Sequence, residues 1–188
     1  LVVTDQAQVE LPAGSASIAV EHFTVDSSAP RIVLVNHHDQ TYAQVELDPA
    51  SLQAAITYPV IDPDSTAVAT VWSSLWTMVR QARFSAAEFV GAVARLGHFI
   101  DDVSMHARVF DQAVTAIKEF APASQRTRLT QQLSTALLEE LAQLQSGFDR
   151  QRSAARMLTK LGIGTQSLAP ELTLLLAQDE HSDLAAGL

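Results

Sequence analysis

Residues 62–97 carry two apolar stripes of helical period joined by a short punctuated connection, and two tryptophans lie in the first stripe. Between Asp64 and Arg80, the residues Val68, Val71, Trp72, Leu75, Trp76 and Val79 recur at intervals of three and four, so one face of a helix must be covered. Indole rings need a deep partner surface. Asp62 followed by Pro63 is a helix start, because the carboxylate accepts from an orphan amide and proline occupies a position whose amide needs no partner. The first helix should stop near Gln81 to Arg83. A second start follows at once: Ser85 as N-cap, Glu88 three residues on, and Phe84 and Phe89 as a hydrophobic staple. Val90, Val93 and Leu96 extend the buried side, and Gly97 is expected to end the helix in the left-handed conformation. The short connection makes the two helices antiparallel neighbours. Trp72, Leu75, Trp76, Val79 and Phe89 are the expected structural core.

The rest of the chain leads into this pair or stacks on it. Residues 1–48 read as short β pieces, at 31–35 and 41–47 among others, separated by turn residues. Tyr42, Gln44 and Glu46 alternate with Ala43, Val45 and Leu47, the period of a strand with one wet face. From Asp48 onward the period is helical. Asp48 and Pro49 open a short helix with Leu52, Ala55 and Ile56 inward, closed by Pro59. Asp101 or Asp102 starts a third long helix, with Val103, Ala107, Phe110, Val114, Ile117 and Phe120 inward and Pro122 ending it. Ser124 is expected to cap a fourth, with Leu129, Leu133, Leu137, Leu141, Leu144 and Phe148 at near-regular fours. Residues 151–161 form a fifth, and 170–178 a last short one. The expected class is therefore α+β: a helical bundle or HEAT-like stack over 49–188, preceded over 1–48 by a small antiparallel sheet left from a β-sandwich.

A net charge of −9 on 188 residues, without a cluster of Lys and Arg, argues against nucleic acid or an anionic membrane as partner. Zero cysteines exclude disulfides, thiolate metal sites and cysteine nucleophiles. No run of eighteen apolar residues and no signal layout are present, so a cytoplasmic setting is expected. A chain starting at Leu1 reads as an excised piece of something longer.

Chemistry has few candidates. His37, His38 and Asp39 read as a polar turn in which Asn36 and Asp39 bond to backbone, in preference to a metal site. His98, Asp102 and His106 are spaced by four and would line one side of a continuous helix, a spacing that suits nitrogen and oxygen ligands. A helix restart at Asp101 and Asp102 throws His98 off that face, so capping and solvated histidines are the plainer reading. Glu139 and Glu140 show no apolar surround that would set one carboxyl's pKa apart from the other's. Ser73 and Ser74 have no visible base. Arg80, Arg83 and Arg95 read as solvated or ion-paired, and Trp72 with Trp76 as core, not as a stacking platform. No catalytic, cofactor or metal residue is assigned.

The run Arg31-Ile32-Val33-Leu34-Val35-Asn36, then Asp39, Thr41-Tyr42-Ala43, Val45, Leu47 and Asp48, resembles the last strand pair of the sandwich domain of actinobacterial-type aminopeptidase N, of the M1 family of zinc metallopeptidases. Trp72-Ser73-Ser74-Leu75-Trp76 with Met78-Val79-Arg80, and Phe84 to Val90, resemble the opening of its ERAP1-like helical domain. His37 and His38 stand where the family usually has aspartates, and Gln44 where it has lysine. The resemblance implies zinc chemistry in a catalytic domain of the same polypeptide, none of it carried by residues of this chain. It implies that the helical domain closes over that domain and limits peptide access to a chamber. The two roles left open are a non-catalytic fragment that caps the chamber, with self-association through bare surface, and an independent helical module that binds a peptide or protein.

Overall fold

In the stretch Ala86–Leu96 only Glu88 and Arg95, seven residues apart on one narrow strip, are charged and exposed, so apart from that strip a helix there must sit inside. The computed structural model places it there. The structure describes residues 8–10, 17, 30–39, 41–61, 65–143 and 149–162. Among them lie six helices: α1 (Pro49–Thr57), α2 (Ser65–Arg80), α3 (Ala86–Leu96), α4 (Val103–Thr115), α5 (Ala123–Gln143) and α6 (Asp149–Lys160). Helix α3 touches α1, α2, α4 and α5, while α6 packs on α4 and α5. Phe89, Val90, Ala92 and Val93 are fully enclosed. Trp72 and Trp76 both meet the Phe89 ring, at centroid distances of 6.3 and 5.7 Å. Leu75 and Val79 lie in the same core, and Trp76 is half-buried beside it. Leu129, Leu133 and Leu137 bring the inner face of α5 against α3.

The helix ends follow local chemistry. Asp48 caps α1 by accepting from the amides of Ala50 (3.0 Å) and Ser51 (3.2 Å), with Pro49 in the first turn. The Ser51 hydroxyl also donates to its carboxylate, which holds the Asp48 carboxyl below its ordinary value. Ser85 caps α3 by accepting from the Glu88 amide at 3.1 Å, and its hydroxyl donates to the Glu88 carboxylate at 2.7 Å. Helix α2 ends in a Schellman arrangement, with Arg83 N–H on the Met78 carbonyl and Ala82 N–H on that of Val79. The left-handed residue there is Ala82, φ 58°, where glycine is usual. The Asp62–Pro63 start, Leu144, Phe148 and the helix expected at 170–178 lie outside the described residues.

Three expectations are corrected. The described residues contain no strand, so over them the expected α+β class with a small antiparallel sheet gives way to an all-helical architecture. The period-two pattern is nevertheless obeyed: Ile32, Leu34 and Leu47 turn onto the helical core while Val33 and Val35 face out. Alternation reports only that an extended segment has one covered face. Here the cover is helical, and Val33 N–H bonds to the Ser51 hydroxyl at 2.9 Å, not to a ladder. Gly97 is not left-handed: its φ is −60°, and a single 3₁₀ turn, Gly97–Phe99, continues from α3. Glycine is needed there for room, because a Cβ would stand 2.5 Å from the Phe110 ring. Phe120 is not inward. Helix α4 ends in a π-helical turn, Ala116–Phe120, whose wider winding shifts the face. Phe120, 43% exposed, lies edge-on to Trp76 instead.

Candidate functional site

The most unusual chemistry of the interior is an ionic cluster where α4, α5 and α6 meet. His106 is fully buried and stacks on Phe110 at 4.4 Å. Its Nε2 lies 3.1 Å from Glu140 Oε2, and the other oxygen of that carboxylate accepts from Arg150 Nε at 2.6 Å. The Arg150 fork continues to the carbonyls of Ile100 (2.6 Å) and His98 (2.7 Å). One guanidinium thus joins α6 to α5 and to the turn between α3 and α4. Burial opposes ionisation of Glu140. The hydrogen bond and charge of His106, with those of Arg150, outweigh it and hold the carboxyl below its ordinary value. His106 Nδ1 is buried without a partner.

The three polar residues spaced by four are not brought together. His98 is exposed in the 3₁₀ turn and joins the cluster through its carbonyl alone. Asp102 is exposed and caps α4, accepting from the Met105 amide at 2.7 Å. Only His106 is interior. The view of Glu139 and Glu140 as lacking an apolar surround is corrected for Glu140, which is 8% exposed. Its position three residues after Leu137 and seven after Leu133 already set it on the buried face of α5. His106, three and four residues before Val109 and Phe110, carried the same signal.

At the other clusters, His37 and His38 occupy a turn pinned by Asn36, whose side chain donates to the Thr41 carbonyl at 2.8 Å and accepts from the Thr41 amide at 3.0 Å. Ser74 is buried and donates to the Thr70 carbonyl. Arg83 pairs with Glu46, and Arg95 reaches the Ile56 carbonyl at 2.9 Å, tying α3 to the end of α1. Among the described residues no three His, Asp or Glu side chains are grouped to hold a metal ion. No described helix is long and apolar enough to cross a membrane.

Beside the core runs an open groove of about 320 Å³ between α2 and α4. Trp72, Met105 and Val109 form its apolar wall, and Ser73, Arg108 and Gln112 its polar side.

These features define a helical scaffold with one buried ionic cluster that fastens helices and a groove that faces out. The chain belongs to the ERAP1-like C-terminal domain family, whose model matches residues 32–184. It is 29% identical over 150 residues to Aminopeptidase N of Streptomyces lividans, a match covering 79% of this chain. The chain spans 17% of the length of that relative.

Proposed function

We propose that this chain is a non-catalytic C-terminal part of an aminopeptidase N, where it caps and shapes the chamber through which peptides reach a zinc catalytic domain in the same polypeptide. The family match over residues 32–184 carries the reading. The inward use of Glu140, His106 and Arg150 is compatible with it, since those groups hold helices together. A cytoplasmic setting goes with this reading. A second reading, an independent peptide-binding module, is favoured by the groove between α2 and α4.

The test is a chimera in which the matched segment of the Streptomyces lividans protein is replaced by this chain. Hydrolysis of an aminoacyl chromogenic substrate and of peptides of increasing length is measured for the chimera, for that protein lacking the segment, and for this chain alone. The expected outcome is chelator-sensitive turnover by the chimera with a marked dependence on peptide length, loss of that dependence without the segment, and no turnover by the chain alone. Zinc-dependent turnover by the isolated chain, or the same length dependence with and without the segment, overturns the reading.

A further inference from the structure

The groove between α2 and α4 combines an apolar floor, Trp72 with Met105, and a cation that the fold does not use: Arg108 has no ion-pair or hydrogen-bond partner among the described residues. In a chain of net charge −9 an unneutralised guanidinium beside an indole is a specific invitation to an anion with an apolar neighbour. The lining runs along α4 from Asp102 to Gln112, a rise of about 15 Å, which matches about five residues of extended peptide and exceeds a compact small molecule. Ser73, Ser104 and Gln112 along the rim offer donors and acceptors to a peptide backbone.

Asp102 sits at the far end, about 9 Å from Arg108 along the helix axis. Its carboxylate is engaged at the start of α4 and repels a second anion there, which selects one direction for the occupant. A single cation flanked by that carboxylate suits a monoanion and disfavours a phosphate dianion.

We propose that this groove binds an extended peptide segment bearing an acidic side chain, its carboxylate on Arg108 and an apolar side chain two residues before it on the Trp72 and Met105 floor. The inference does not depend on the capping role and stands or falls separately from it.

The probe is an acetylated, amidated pentapeptide with leucine second and glutamate fourth, titrated into the full 188-residue chain while the Trp72 indole and the Ser73 and Gln112 amides are followed by NMR. Binding is expected with a Kd on the order of 1 mM. It should weaken roughly fivefold when the peptide's glutamate becomes glutamine, and by as much in Arg108→Gln. Arg80→Gln, an exposed change outside the groove, should leave it intact. Equal affinity of the glutamine peptide, equal affinity of Arg108→Gln, shifts confined to other residues, or preference for a peptide whose only carboxylate is its free C-terminus each overturn the proposal.

Discussion

Replacing Glu140 by alanine removes the carboxylate that stands between His106 and Arg150, and the structure sets the size of the effect. Deleting one partner of a buried ionic pair costs about 3–5 kcal/mol, mostly because the other charge is left without compensation. Arg150 is less stranded than that, since it keeps the Ile100 and His98 carbonyls and its side chain is 15% exposed. We therefore expect Glu140→Ala to lose about 2–4 kcal/mol of unfolding free energy. Glu140→Gln keeps the shape and an acceptor but not the charge, and should lose about 1–2 kcal/mol. Urea unfolding followed by circular dichroism at neutral pH, with the slope checked for constancy, gives both values.

The acid limb supplies an independent sign. The Glu140 carboxyl titrates lower in the folded chain than unfolded, so its stabilisation is complete above the ordinary carboxylate value and drains away as pH falls through the lower folded value. Glutamine has nothing to drain, so the gap between Glu140→Gln and the parent should narrow with acid. A loss under about 1 kcal/mol for Glu140→Ala, or a gap that widens with acid, refutes the view that this cluster fastens α6 to the rest.

Two further substitutions test the backbone. Gly97→Ala puts a methyl group 2.5 Å from the enclosed Phe110 ring and should destabilise by about 1–3 kcal/mol, seen as a lower thermal midpoint; an unchanged midpoint removes the close-approach argument. Ala82→Gly relieves a left-handed alanine at the end of α2 against a larger unfolded-state entropy, and should stabilise by about 0.5–1 kcal/mol in the same assay; a loss shows that the turn is not strained.

Much of the helical order was legible in the sequence because it rests on local chemistry. Asp48 with Pro49, and Ser85 with Glu88, mark helix starts through bonds spanning two or three residues, and the fours from Leu129 to Leu141 mark a face of α5. That the described residues hold no strand at 31–35 has a physical reason. Alternation at Ile32, Val33, Leu34 and Val35 says which side is covered but not by what, and only the tertiary fold supplies helices in place of a neighbouring strand. Gly97 misled for a similar reason, since the demand on it comes from Phe110 across the turn. In the ionic cluster His106 and Glu140 carried burial signals in their helical phase, but their polarity hid them. Their partner, Arg150, is fixed by tertiary packing. Arg108 had no distinguishing spacing; its interest comes from the gap between α2 and α4.

Arg150 grips carbonyls some fifty positions earlier in the chain, in the turn that Gly97 begins. That grip has a consequence for the order of events during synthesis. Until residues 97–100 have taken up their tight bend, no acceptor pair of the right separation exists for the guanidinium, so α6 can rest on α4 and α5 through Ala154, Ala155 and Leu158 but lacks its polar tie. The last described helix thus closes as a clasp on that bend, and loosening the bend removes two of the acceptors that hold Arg150.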